Sequence, residues 1–125
     1  MGLYAGIAVG AVALLHLYIA WFEMFAWETK GPDVFKILDP DLFPRTKVLA
    51  LNQGLYNAFL AAGLLWALWI GDPVWSAAVA TFFLLCVAVA GVVGWLTAKS
   101  LLVLGAQTGL AVVALVLVWV GKAAA

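Results

Sequence analysis

Residues 47–70 read KVLALNQGLYNAFLAAGLLWALWI, and no charged residue follows the opening lysine in this stretch. A helix that spans a membrane needs about 20 consecutive, mostly apolar residues, so the stretch predicts a transmembrane helix. Three more such stretches lie at about residues 3–27, 74–97 and 100–121. We therefore predict an all-α, polytopic membrane protein, in which a four-transmembrane-helix bundle forms a single integral membrane domain over residues 1–125.

The composition supports lipid as the natural solvent of the chain. Apolar residues make up 68% of it and charged residues only 10%, whereas soluble domains are about half apolar and about a quarter charged. A soluble fold of this length leaves too much surface in water to hide so many apolar side chains. The formal net charge of zero predicts no nucleic-acid partner.

The basic residues predict the orientation of the helices. The long connection at residues 28–46, together with the residue that follows it, carries four of the six basic residues. Lys99 is expected on the same side of the membrane, and Lys122 on the other. By the positive-inside rule, the connection lies in the cytoplasm and both termini lie outside. The four basic residues at the connection are Lys30, Lys36, Arg45 and Lys47.

The 28–46 connection is longer than antiparallel helices need, since about 2–8 residues usually suffice. Its VFKIL segment, residues 34–38, lies between Gly-Pro and Asp-Pro pairs and predicts a short helix at the membrane surface. Phe35 and Phe43 are expected to dip into the lipid headgroups. One interpretation of the connection is a surface anchor, and the other is a lid over a cavity.

Small residues are expected to hold the helices together, because in lipid they allow two backbones to approach closely. Glycine and alanine recur at four-residue spacing, as in Gly54 and Ala58 of the second span. Gly105 and Gly109 of the fourth span form a candidate interface for a homodimer or homotrimer. Tryptophans near the ends of spans are typical of interfacial anchors. These are Trp27, Trp69, Trp75, Trp95 and Trp119.

Polar residues of the first two spans are expected to face each other. In the first span, His16 and Glu23 share a face with Trp27, at about 100° per residue. At a rise of about 1.5 Å per residue, Glu23 should lie level with Gln53, and His16 level with Asn57 near the midplane. The polar residues of the hexapeptide NQGLYN are Asn52, Gln53, Tyr56 and Asn57.

These residues predict a polar pocket for a lipophilic small molecule, in the half of the membrane nearer the cytoplasm. Glu23 is the candidate general acid/base, and His16 is a second acid/base or an electrostatic partner. In the fourth span, Gln107 falls between the depths of Glu23 and His16. The residues expected to bind the substrate are Asn52, Gln53, Tyr56, Asn57, Gln107 and Trp27.

A structural interpretation stands beside the functional one. A charged carboxyl group costs about 2.5–3.5 kcal/mol at the centre of a spanning helix, so Glu23 should be protonated, pair with His16 or face water. Amides between helices can be purely structural, at roughly 0.6 kcal/mol each. Three amides, a histidine and a glutamate on adjoining helices favour a functional site. No metal-binding pattern is present, and we expect no metal and no cofactor; nothing else supports His16 as a haem ligand.

Three stretches resemble a known family: HLYIAWFEMFAWE, KVLALNQGLYNAFLAAGL and FFLLCVAVAGVVG. They resemble the domain of unknown function 1304 family, which comprises small bacterial integral membrane proteins with four spans. The most specific parts are the cluster Glu23, Met24, Phe25 and Trp27, and NQGLYN followed by FLAAG. The resemblance implies a multi-pass protein of the bacterial inner (plasma) membrane, and it implies no activity.

Three functions fit these residues. An intramembrane enzyme or binding protein would use Glu23 to move a proton on a lipophilic substrate, as in isomerisation. A proton-coupled transporter would use the same carboxyl group. Small multidrug exporters resemble this chain in having four spans and a glutamate in the first helix, but Glu23 lies nearer a helix end and the 28–46 connection is longer. A structural membrane subunit would use the polar residues only to lock the helices together. We favour the first function.

Overall fold

The computed structural model describes residues 1–124, with side chains through residue 123. In this part of the chain four helices are long and apolar enough to cross a membrane, and no β-strand is present. The prediction of an all-α chain with four spans is therefore confirmed, and the four helices are typical of a multi-pass membrane protein. The elements are α1 (Leu3–Phe25), α2 (Trp27–Val34), α3 (Leu42–Arg45), α4 (Lys47–Trp69), α5 (Pro73–Ala98), α6 (Leu101–Val103), a π-helical segment (Leu104–Gly109) and α7 (Leu110–Ala124).

The ends of α5 show how the local sequence sets the limits of a helix. The side chain of Asp72 accepts hydrogen bonds from the backbone N–H groups of Val74 and Trp75, both at 2.9 Å. Pro73 occupies the first helical position, where its missing N–H leaves no hydrogen bond unmade. At the other end, Lys99 adopts the left-handed conformation with φ 55°, which a right-handed helix cannot continue.

The fourth span changes its winding between α6 and α7. Thr108 of the π-helical segment donates a hydrogen bond to the carbonyl oxygen of Ala88 at 2.8 Å. A Cβ atom on Gly91 of α5 would stand only 2.7 Å from the backbone nitrogen of Thr108. The absence of a side chain at Gly91 therefore lets the π-helical segment pack against the backbone of α5.

Residues 1–14 and 60–124 form the larger of two compact units. Its core is rich in alanine and valine, and the hydroxyl of Ser76 donates to the carbonyl oxygen of Ala67 at 2.9 Å within it. These small side chains let the helices approach closely. The core residues are Ala5, Val9, Val12, Ala13, Leu64, Ala67, Ala77, Ala80, Leu84, Val87, Ala111, Ala114 and Val118.

The outer surface of the larger unit carries several residues assigned from the sequence. Trp69, Trp75, Trp95 and Trp119 are all exposed, as membrane-surface anchors would be. A Cβ atom built on Gly105 or on Gly109 would meet no atom within 4 Å. A homodimer or homotrimer through these glycines stays a prediction.

Residues 15–59 form the smaller unit, and here the connection between α1 and α4 is folded. The ring of Phe43 lies 5.0 Å from the ring of Trp27, measured between centroids. Trp27 also contacts the rings of Phe22 and Phe35, and its indole N–H donates to the hydroxyl oxygen of Thr46 at 3.0 Å. These contacts hold α2 and α3 against the ends of α1 and α4 within this unit.

Two predictions for the connection were wrong. The short helix is not VFKIL: α2 lies upstream, contains Pro32, and ends at Val34. Phe43 does not reach outward, because only 1% of its side chain is exposed. The physical reason lies at Gly31, where an added Cβ would collide with the ring of Phe43. Pro32 lies inside α2, where it cannot donate a backbone hydrogen bond.

Candidate functional site

The site in the smaller unit depends on the close approach of α4 to α1 at Gly54. A Cβ atom on Gly54 would stand 2.5 Å from Cγ of Met24 and 2.9 Å from the carbonyl oxygen of Ala20. Glycine is thus required here by the contact between two helix backbones, which is the role that small residues play between membrane helices. The approach brings the polar turn of α4 against Glu23, whose Cβ is also a near neighbour of Gly54.

Glu23 and Asn57 form the centre of the site. The Asn57 side-chain amide donates a hydrogen bond from Nδ2 to Oε1 of Glu23 at 2.6 Å. The same nitrogen lies 3.1 Å from the backbone oxygen of Gln53, one turn earlier in α4. The two bonds use both hydrogens of the amide, so the orientation of Asn57 is fixed. Only 7% of Glu23 is exposed, so Asn57 bonds to a side chain that is largely withdrawn from solvent.

Glu23 is one of the residues that line a cavity of about 280 Å³. At this cavity the ammonium of Lys47 lies 3.2 Å from Oε1 of Glu28, so the charges of these two side chains offset each other. This pair is well exposed and contributes little to stability. The cavity joins a buried acid to a polar surface and is lined by Glu23, Met24, Phe25, Trp27, Glu28, Thr29 and Lys47.

A second cavity, of about 240 Å³, also touches Trp27. Its lining is mostly hydrocarbon. The indole N–H of Trp27 is bonded to Thr46, and the Thr46 hydroxyl is bonded to the carbonyl oxygen of Leu42 at 2.7 Å. The lining residues are Trp27, Leu38, Leu42, Phe43, Thr46, Leu49, Ala50 and Gln53.

The structure brings some of the predicted site residues together and leaves others apart. Glu23 meets Asn57, whereas the sequence estimate of depth paired it with Gln53. Gln53 still adjoins the site, through its backbone oxygen and as a wall of the second cavity. Asn52 and Tyr56 are exposed on α4, and the Tyr56 ring packs beside Phe59, 6.1 Å away between centroids.

Two further predicted residues have no demonstrated part in the site. His16 is completely buried, two turns before Glu23 in α1, and its role as a second acid/base stays a prediction. Gln107 belongs to the larger unit, in the π-helical segment, where its Cβ lies near Gly91. Among the residues that the structure describes, no group of three or more His, Cys, Asp or Glu side chains could hold a metal ion.

Several residues that line the cavity have no site role predicted from the sequence. For Glu28, Thr29 and Lys47 the sequence indicates only a place in or next to the connection. Glu28 follows Glu23 by five residues, and Lys47 is the first residue of α4. These opposite charges at two helix ends were the only sequence feature that could have indicated an ion pair near Glu23. What the sequence could not supply was the fold of α2, which places Glu28 and Thr29 beside Glu23.

A family model described as "Protein of unknown function (DUF1304)" matches residues 10–119. The chain belongs to this family. The chain is similar to the uncharacterized protein YpaA of Lactococcus lactis subsp. lactis (strain IL1403). The two are 29% identical over 107 residues, which cover 84% of this chain and 87% of that protein. No solved structure matches the chain. The DUF1304 match includes both Glu23 and Asn57.

Proposed function

We propose that this DUF1304 protein binds a lipophilic small molecule at Glu23 and converts it by acid/base chemistry within the membrane. The observation that carries the proposal is the 2.6 Å hydrogen bond from Asn57 to Glu23, on the wall of a cavity of about 280 Å³. An acid that is almost fully buried, oriented by an amide and still next to open space has the geometry of a proton-transfer group.

Each side chain has a distinct part in this function. Asn57 holds Oε1 of Glu23, so the carboxyl group keeps one orientation while it takes up or releases a proton. Glu23 removes a proton from one position of the substrate and returns it at another, which amounts to isomerisation without an added co-reactant. Trp27 provides an apolar wall for the substrate. By the positive-inside rule the cavity lies toward the cytoplasmic surface of the inner membrane.

The first experiment asks whether a lipophilic molecule reaches the carboxyl group of Glu23. The probe is dicyclohexylcarbodiimide, which reacts with carboxyl groups in apolar surroundings, added to the protein in lipid nanodiscs. Peptide mass spectrometry should find the adduct on Glu23, and the Glu23→Gln variant should lose it. Glu28, which is 40% exposed and paired with Lys47, serves as the internal control and should react weakly. An adduct on Glu28 with none on Glu23 would overturn the proposal.

The second experiment separates conversion from transport and from a structural role. Wild-type protein and Glu23→Gln are compared in liposomes, with deuterated water as the solvent. Glu23-dependent deuterium incorporation into a bound lipophilic compound supports conversion. Glu23-dependent proton flux without such incorporation favours a proton-coupled transporter. A change in thermal stability alone, with neither signal, favours a structural subunit and counts against the proposed function.

A further inference from the structure

The two cavities of the smaller unit differ in chemistry and share one wall. The lining of the cavity at Glu23 includes two acidic residues and one basic residue, Glu23, Glu28 and Lys47. The other is lined mainly by leucine, alanine and aromatic carbon. Trp27 lines both. A molecule that occupied both would need a polar end and a hydrocarbon end.

A short chain of contacts links the cavities on the α4 side as well. Gln53 lines the hydrocarbon cavity, and its backbone oxygen accepts from Asn57. Asn57 in turn donates to Glu23, which lines the polar cavity. One turn of α4 therefore separates the hydrocarbon cavity from the acid. Each cavity alone, at about 240 Å³ and about 280 Å³, lies just below the lower end of the usual range for small-molecule sites, roughly 300 Å³.

The charges at the polar cavity indicate which head group it would take. Lys47 and Glu28 offset each other at 3.2 Å, so Glu23 is the acidic group left for a ligand to complement. An amine can accept a proton from this carboxyl group or donate hydrogen bonds to it as a cation. A carboxylate head would instead lie beside two acids, and like charges at short range repel.

The lining of the hydrocarbon cavity suits an alkyl tail. Its volume of about 240 Å³ is well above the roughly 10–15 Å³ that a cavity needs to hold one water molecule. Leu42 and Leu49 on its wall are also exposed at the outer surface, so a chain could enter sideways from the bilayer. The cavity thus has room for several methylene groups of an alkyl chain.

We propose, on the basis of the function proposed above, that the substrate class is a single-chain amphiphilic amine. Its head lies at Glu23 and Asn57, and its tail lies in the cavity between Leu42 and Leu49. Trp27 separates the two ends. Three observations support this assignment. The two cavities share Trp27 as a wall, hydrogen bonds link Gln53 through Asn57 to Glu23, and the two linings differ in chemistry.

The test is protection of Glu23 from dicyclohexylcarbodiimide in nanodiscs. Competitors are the N,N-dimethyl derivatives of n-butylamine, n-octylamine and n-dodecylamine, called butylamine, octylamine and dodecylamine below, because a primary amine would itself form an amide with the carbodiimide-activated carboxyl group. They are compared at equal bilayer content, with n-octanol and octanoate as head-group controls. At equal bilayer content every tail already lies in hydrocarbon, so a longer tail gains only the packing contacts that the cavity provides. Octylamine, whose tail reaches the cavity, should therefore protect at a lower bilayer content than butylamine, whose tail does not. Octanol should protect less than octylamine. Octanoate protecting as well as octylamine would overturn the amine head.

A matched pair of variants tests the tail. Leu49→Trp fills the mouth of the hydrocarbon cavity, and Leu51→Trp places the same ring on α4 outside it; both leucines are exposed. Leu49→Trp should raise the half-protecting concentration of octylamine more than tenfold and leave that of butylamine unchanged. Leu51→Trp should change neither. Equal effects of the two variants would overturn the tail position while leaving the proposed function of Glu23 intact.

A second measurement tests the tail without relying on labelling of Glu23. An octylamine derivative with a diazirine at the end of its chain is photolysed in the nanodisc, and the cross-linked peptides are mapped. Adducts concentrated at residues 38–53 support the proposal. Adducts spread evenly over the exposed faces of the spans would show that the hydrocarbon cavity has no preference for the tail over the surrounding lipid. That result would overturn the proposal. Failure of carbodiimide labelling at Glu23 together with adducts at residues 38–53 would reject the function but keep the alkyl site.

Discussion

Asn57 and Glu23 are each unfavourable in a bilayer, and their hydrogen bond lowers the cost of both. Direct measurements give hydrogen bonds between membrane helices an average of about 0.6 kcal/mol, with a maximum of about 1.7 kcal/mol. We expect a double-mutant cycle of Glu23→Leu and Asn57→Leu to give a coupling energy in this range. The measurement is reversible unfolding in mixed micelles of lipid and SDS.

The control for that cycle is Glu23→Leu combined with Asn52→Leu. Asn52 is an exposed amide on the same helix, so its replacement removes similar chemistry without touching the bond to Glu23. Its coupling energy should be near zero, within about 0.3–0.5 kcal/mol. Equal coupling in the two cycles would mean that the hydrogen bond at 2.6 Å makes no specific contribution to stability.

Gly54 gives a second prediction at the scale of one residue. Gly54→Ala would place a methyl group 2.5 Å from Cγ of Met24 and 2.9 Å from the backbone oxygen of Ala20. A side chain can move, but the backbone of α1 must shift, so the change should cost about 1–3 kcal/mol. The same unfolding measurement detects it. Gly10→Ala, whose methyl would lie 3.9 Å from Leu68, should be close to neutral; an equal loss there would contradict this account.

The sequence identified the chemistry of the site better than its geometry. An acid in the first span and amides in the second are costly in a bilayer, so their positions within apolar stretches mark them as candidate site residues. The sequence could not predict that Glu23 bonds to the side chain of Asn57 and not to that of Gln53. Depth counted from a membrane edge is uncertain by about a turn, since α1 ends at Phe25 and a folded segment precedes α4.

At the scale of elements, the connection between α1 and α4 was the least predictable part. The Gly31-Pro32 pair indicates a break, yet α2 continues through it. The deciding contact is between Gly31 and Phe43, which lie 12 positions apart in the sequence, and local propensity carries no information about it. The long helices were predictable because their limits follow from local features, such as the Asp72 cap and Pro73 at the start of α5.

Phe43 should anchor this connection. Phe43→Ala removes a ring that is almost fully buried against Trp27, and such changes cost about 3–5 kcal/mol in well-packed cores. We expect the variant to expose residues 35–41 to limited proteolysis at low temperature, while the wild-type protein resists. Phe59→Ala, which removes an exposed ring of the same smaller unit, should leave the cleavage pattern unchanged. Equal sensitivity of the two variants would show that Phe43 does not hold the connection.

At the scale of the whole molecule, four long apolar stretches predicted four helices able to span a membrane, because a backbone in lipid must satisfy its own hydrogen bonds. The orientation of these helices stays a prediction from the distribution of lysine and arginine. Two basic residues at the connection make local contacts. Lys47, which directly follows the connection, pairs with Glu28, and Nζ of Lys30 lies 5.0 Å from the ring centroid of Trp21. Acidic neighbours contribute little to orientation, so these contacts should not reverse it.

Cysteine labelling in spheroplasts tests the orientation. In a Cys86→Ser background, Asp39→Cys places a thiol in the connection and Gly71→Cys places one between α4 and α5; both positions are exposed, and neither substitution alters a basic residue. A membrane-impermeant maleimide should label Gly71→Cys in intact spheroplasts, and label Asp39→Cys only after permeabilisation. The reverse pattern would place the connection outside. The cavity at Glu23 would then open toward the outer face, and any substrate would have to reach it from there.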